Sequence, residues 1–209
     1  MRDEKEMAKL EEAISQSKRW MESAVSLTNG ITFPTNNRNR VAISLFHLCL
    51  EHHMGIHTLV DHGVLGSAFA LFRPQFESYL RGVWYGFCAT DKDIASFLKD
   101  KEPPKVDILI RDIESKGAFR DGALRRIKSD VWRNLCGFTH GGSIQVKARN
   151  TQSDIAQSYK PKHIAGLMTS SVALSQLGCL GISAMINSEP HAKKVRDAYQ
   201  AIYGPLRDS

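Results

Sequence analysis

The chain has 209 residues, 42% of them hydrophobic and 24% charged, ordinary proportions for one globular domain with a substantial core. They exclude wholesale disorder, and the formal net charge of +6 favours anionic partners such as nucleic acid without requiring them. Cys49, Cys88, Cys136 and Cys179 are scattered through apolar runs with no CxxC pair, which argues against a zinc ribbon and for free thiols in a reducing cytosol.

Apolar residues recur at helical spacing along nearly the whole chain, and no alternating pattern runs long enough for a strand. The opening "MRDEKEMAKLEEA" reads as a charged helix start and not as a signal peptide, because it lacks a short apolar core. The first helix is expected over residues 4–29, stopped at "TNG" by Asn29 and Gly30. After the loop "ITFPTNNRNR", a second helix over about 38–62 turns Val41, Leu45, Leu48, Cys49, Ile56 and Leu59 to the core. A third, about 65–89, is the longest apolar stretch of the first half, and Pro74 predicts a kink or restart within it.

"DKDIASFLKD" is expected as a short helix capped by Asp91 and ended by "KEPPK", and "VDILIRDIES" as another. A helix from near Asp121 runs into "VWRNLCGFTHGG", followed by an irregular basic connection. Long and short helices over 162–187 and 190–203 complete the chain. The segment "HIAGLMTSSVALSQLGCLGISAMI" is apolar enough to be weighed as a membrane span. Its Gln176, five Ser/Thr residues and lack of terminal aromatic anchors favour a buried bundle helix. The expected fold is therefore all-α: one domain over 1–209, a helical bundle with long central helices and short crossing ones. Its core covers about 38–187, with the 4–29 and 190–203 helices packed on it. No cofactor and no membrane association are expected, and the location expected is cytoplasmic.

Two polar groupings carry candidate chemistry. In "FRPQFESYLRGVWYGF", Arg73, Glu77 and Arg81 fall four residues apart on one helix face, a carboxylate between two guanidinium groups. Such a ladder is a solvated stripe, a partly buried packing network, or a phosphate-binding face, since guanidinium matches phosphate oxygens bidentately. In "FHLCLEHHMGIHTLVDH", His47, Glu51, His53 and His57 lie at ligand-like spacing. Neither Glu-x-x-His nor HExxH is present, so a metal centre fails both sharp tests and no metal is expected.

Arg133 and His140 in "VWRNLCGFTHGG" form the third candidate. With eight histidines and fourteen arginines, about one or two Arg-x(4–6)-His pairs arise by chance, and Arg40 with His47 is another. The setting distinguishes Arg133 and His140: Asn134 follows the arginine, Gly141-Gly142 follow the histidine, and the pair stands at a helix end. Seven helical steps return nearly to one face but separate the two by about 10 Å. Metal-free RNA cleavage needs a base for the ribose 2′-hydroxyl and a cation for the charged transition state, and histidine and arginine suit those roles. Basic residues flank the pair: Arg125, Arg126 and Lys128 precede it, and Lys147 and Arg149 follow in "QVKARNT".

"RNLCGFTH" resembles the Arg-(polar)-x-His signature of the HEPN superfamily, all-helical proteins of prokaryotic toxin and antiviral systems. "GSAFALFRPQFESYLRGVWY" followed by "WRNLCGFTHGGSIQVKARNT" is also similar to a bacterial family related to abortive-infection proteins, over roughly residues 40–187. The resemblance implies a metal-independent ribonuclease acting as a homodimer, a toxin or phage-defence effector with RNA as substrate and an antitoxin or defence-system protein as possible partner. It implies Arg133 as phosphate-stabilising cation, Asn134 as orienting residue and His140 as acid/base. Six intervening residues put the motif at the long end of the family pattern. Some HEPN members only bind partners or nucleotides, so the alternative is a non-catalytic helical module that binds RNA, a nucleotide or a protein through Arg73, Arg81 or Arg133.

Overall fold

Short polar residues cap the starts of three helices, and glycine turns end others. In the computed structural model, which describes residues 2–117, 119, 121–151 and 153–204, the first helix, α1 (Arg2–Thr28), ends before a turn in which Gly30 takes a positive φ of 73°. Of the domain expected over 1–209, residues 1, 118, 120, 152 and 205–209 lie outside the described residues. The Asn36 side chain accepts from the Asn39 amide at 2.8 Å and starts α2 (Asn37–Asp61). α3 (Leu65–Phe87) runs unbroken through Pro74, so the expected restart does not occur. Asp91 does not cap α4 (Asp91–Phe97). Thr90 does, in a reciprocal pair with Asp93, because the helix begins one residue earlier than the apolar pattern indicates.

α5 (Val106–Ser115) and α6 (Ala123–Thr139) follow. The connection expected to be irregular contains a five-residue helix, α7 (Ser143–Lys147), too short for apolar periodicity to register. An isolated bridge between Asn150 and Ile155 is the only strand-like pairing among the described residues. α8 (Pro161–Met185) opens on proline, and α9 (Glu189–Tyr203) is capped by Ser188. The described chain is an all-α bundle, as its periodicity predicts.

α2, α3 and α8 form the centre, with α1 and α9 against α8 and with α5 and α6 against α3. Phe46, Leu80, Trp84, Tyr85, Leu109 and Ile113 build the largest apolar cluster. Leu48, expected inside, is exposed; the inward face of α2 instead follows Ala42, Phe46, Cys49, His53, Ile56 and Val60. α8 is long and apolar enough to cross a membrane, yet just over half of its most apolar window is buried against its neighbours. All four cysteines are free, and burial pushes the Cys179 thiol up to about 12, which leaves it protonated and unreactive.

The inward face of α2 carries histidines because their second partners are polar side chains of other helices. His57 Nδ1 meets Ser17 Oγ of α1 at 3.0 Å, and His53 Nδ1 meets Ser171 Oγ of α8 at 2.9 Å. Burial drives the His53 pKa down to about 3 and also lowers His52 and His57. Because the folded value lies below the unfolded one, the unfolded chain binds the extra proton, and stability falls as pH drops from about 6.5 toward 3. His53 alone accounts for a loss of about 2 kcal/mol between pH 7 and pH 5. Urea unfolding at the two pH values measures it; His53→Leu is expected to flatten the pH dependence, and an unchanged slope would assign the effect elsewhere.

Candidate functional site

Proline in the middle of α3 creates the local condition for the site. Pro74 has no backbone N–H, so the carbonyl four residues earlier, Ala70, lacks its helical donor. The Thr139 hydroxyl, 2.9 Å from the Leu135 carbonyl within α6, also lies 3.3 Å from the Ala70 carbonyl. α6 is thereby tied to α3 at the residue just before His140.

The end of α6 is held from the other side as well. His140 caps the helix, Gly141 follows with φ 66°, and the Gly142 amide donates back to the Gly137 carbonyl at 2.7 Å. A left-handed residue just past the helix end closes this turn, which is why glycine stands there. Gly137 does not break the helix; a Cβ on it would lie 2.8 Å from Ile144 of α7, so its small size admits the returning chain. Gln145 of α7 donates to the Phe138 carbonyl and to the Gly66 carbonyl of α3, each at 3.0 Å. His140 is therefore presented against α3 by a rigid corner.

There it meets Arg73. Arg73 Nη1 lies 2.5 Å from His140 Nε2, while Arg73 Nε donates to Glu77 Oε1 at 2.8 Å. Arg81 Nη2 donates to Glu77 Oε2, also at 2.8 Å. Glu77, with a side chain only 16% exposed, has both oxygens engaged, so the ladder is a partly buried network and not a solvated stripe. Arginine offers only donors, so its contact with His140 requires Nε2 to accept and places the imidazole proton on Nδ1. The Arg73 guanidinium lies 4.9 Å over the Trp132 ring and Lys128 Nζ lies 5.6 Å from it, each a cation–π approach. A cleft of about 440 Å³ opens beside them, where Arg73, Arg81, Lys105 and Lys128 face Glu77, Glu102 and Asp107. Lys128 is paired to Asp107, and Trp132, Pro103 and Pro104 complete the wall.

Other candidates fall elsewhere. Arg133 and Asn134 are exposed on α6, and their side chains make no hydrogen bond or ion pair among the described residues. Lys147 is exposed on α7. Arg149 donates to the Gln145 side chain and, at 3.3 Å, to the Tyr159 hydroxyl, which makes it a brace for the loop after α7. Arg125 and Arg126 are paired with Glu114 and Asp121. His47, Glu51, His53 and His57 do not converge: among the described residues no three His, Cys, Asp or Glu side chains group as metal ligands would. Trp132, Lys105 and Thr139 are the contributors that sequence reading missed, and Pro74 entered it only as a helix interruption. Only Trp132 left a signal, an exposed-looking aromatic four residues after Lys128 on the same helix face.

Residues 46–207 match DUF6988, described as a family of unknown function. The chain belongs to this family. The matched span contains the Arg73, Glu77, Arg81, Trp132 and His140 cluster and leaves out α1. No curated protein and no solved structure matches this DUF6988 member.

Proposed function

We propose that this DUF6988 protein is a metal-independent endoribonuclease, related to the HEPN superfamily, that cleaves RNA by attack of a ribose 2′-hydroxyl on the adjacent phosphate. The observation that carries the reading is the Arg73–His140 contact, whose arginine also lines a cleft with Arg81, Lys105, Lys128 and Trp132. A nonbridging phosphate oxygen competes for the Arg73 guanidinium and draws its hydrogen bond away from the imidazole. His140 Nε2, uncovered beside that phosphate, accepts the 2′-hydroxyl proton as the 2′-oxygen bonds to phosphorus. The bond to the 5′-oxygen then breaks, and that oxygen takes a proton from the imidazolium. The products are a 2′,3′-cyclic phosphate and a 5′-hydroxyl end. Arg73 and Arg81 stabilise the extra negative charge in the transition state, and the Trp132 ring offers a face for a neighbouring base.

The HEPN resemblance adds a homodimer, in which exposed Arg133 and Asn134 are available to a cleft shared between subunits, and a role as toxin or phage-defence effector. Cleavage of a labelled total RNA pool in EDTA tests the core of the proposal. His140→Ala is expected to lower cleavage by about 10²–10⁴-fold with helical signal and oligomeric state retained. Wild-type products are expected to carry cyclic phosphate ends. Equal cleavage by the variant removes His140 from the mechanism.

One observation favours a second reading, a non-catalytic module that binds RNA, a nucleotide or a protein. Arg133 and Asn134 make no contact with His140, and Arg73 occupies the imidazole nitrogen that catalysis needs. This reading predicts salt-dependent RNA binding that weakens in Arg73→Ala and Arg81→Ala, with no cleavage products from the wild type.

A further inference from the structure

α3 presents two different faces. Arg73, Glu77 and Arg81 line the cleft by Trp132, whereas Tyr79, Val83 and Phe87 repeat at the same four-residue step but offset by two. Two helical residues turn about 200°, so the second row lies on the side of α3 away from the ladder. That row borders a cavity of about 380 Å³, which shares no residue with the cleft.

The facing wall comes from α8. Leu177, Leu180, Gly181 and Ala184 line the cavity, and none of the four is buried. Just over half of the most apolar window of α8 is buried, and these residues are among those that packing leaves uncovered. Phe87 is 47% exposed, and Ile113 and Phe119 complete the apolar wall. Contiguous apolar surface of this kind, left open on a folded chain, marks a place where something binds.

Three lining side chains carry polar atoms: Tyr79, Cys88 and Lys116. Tyr79 is buried, with its ring against Phe46. Burial and Asp112 push the Cys88 thiol up while Lys116 acts the other way, which sets the lysine ammonium within electrostatic reach of the cavity wall. The Lys116 side chain is exposed and makes no hydrogen bond or ion pair among the described residues. Asp112 does not neutralise it, because both of its oxygens are engaged. Trp84 Nε1 donates to Oδ2 and Arg111 Nε to Oδ1, each at 3.0 Å.

We infer that the cavity between α3 and α8 binds a small aliphatic carboxylate, with its chain among Val83, Phe87, Leu180 and Ala184 and its carboxylate on Lys116. The chain supplies affinity by leaving water, and the single cation at the edge of an apolar wall supplies direction. One ammonium balances one negative charge, which a carboxylate carries and a phosphate monoester exceeds. The same cation repels an amine of equal length.

Octanoate, octylammonium and the shorter hexanoate test this. Titration of the labelled full-length chain, followed by amide chemical shifts, is expected to show saturable octanoate binding with shifts centred on Val83, Phe87, Leu180 and Ala184. Octanoate is expected to bind about tenfold more tightly than octylammonium, and also about tenfold more tightly than hexanoate, the effect of two methylenes. Lys116→Gln is expected to remove the preference over octylammonium and to keep the dependence on chain length. Ala184→Trp, which adds a bulky ring from an exposed position of α8, is expected to abolish octanoate binding with helical circular dichroism retained. No saturable octanoate binding, equal affinity for octanoate and octylammonium in the wild type, or shifts confined to another face would each overturn the inference. So would shifts of these residues that follow protein concentration in the unliganded chain, which would assign the face to a second copy.

Discussion

Replacing Arg73 with alanine is expected to lower the proposed RNA cleavage by about 10²–10³-fold, the usual cost of removing a preorganised charged donor from a transition state. Three contacts hold this guanidinium: Glu77 at Nε, His140 at Nη1, and the Trp132 ring below its plane. Arg73→Lys keeps the charge but cannot reach Glu77 and His140 with separate nitrogens of one rigid plane. It is expected to recover only part of the loss, mainly in KM and little in kcat. Arg133→Ala provides the comparison, since the Arg133 side chain is exposed and without hydrogen bonds among the described residues. Single-turnover cleavage rates of the three variants, with circular dichroism to establish folding, decide between the cations. A larger loss at Arg133 than at Arg73 would transfer the cationic role to Arg133 and leave Arg73 a packing residue.

Phe46→Ala is expected to destabilise the fold by about 3–5 kcal/mol, at the upper part of the range for large core truncations. The Phe46 side chain is fully buried where α2, α3 and α8 meet. Two glycines admit it: a Cβ on Gly82 would lie 2.8 Å from the ring, and one on Gly181 would lie 2.5 Å from it. The walls of the void left by truncation are thus helix backbones, which move less readily than side chains, so little collapse is available to recover lost contacts. Urea unfolding at neutral pH measures the loss, and a value near 1 kcal/mol would show that the three helices close over the gap. Phe46 and Arg73 project from neighbouring central helices without touching. Any loss of cleavage in Phe46→Ala should therefore track the folded fraction and disappear under conditions where the variant is fully folded.

Within the site, legibility varied with the range of the interaction. The Arg73–Glu77–Arg81 ladder was visible because contacts four residues apart follow from helix geometry alone. Whether it is solvated or partly buried was left open by the sequence, and the low exposure of Glu77 decides for partial burial. The end of α6 at His140 was marked by Gly141 and Gly142, whose role is a left-handed turn. The cap of α4 was misplaced by one residue because Thr90 and Asp91 are both good cap residues, and only the reciprocal pairing with Asp93 selects Thr90. α7 was invisible because five residues complete little more than one turn.

The amino-acid order by itself determined an all-α chain, the positions of its long helices, and the placing of His140 at a helix end. These depend on apolar spacing and on residues within a few positions of one another, where chain connectivity sets the geometry. Tertiary packing decided which cation His140 faces. Its contact is Arg73, 67 residues earlier, and not Arg133, seven residues earlier on its own helix. Seven helical residues hold two side chains about 10 Å apart, whereas an α3–α6 crossing braced by Thr139 near Pro74 brings two helices to hydrogen-bond distance. The same holds for His53, whose sequence neighbours suggested a ligand for metal. Only the fold, by setting Ser171 and Gln75 against it, made it a buried member of a polar network that joins α2, α3 and α8.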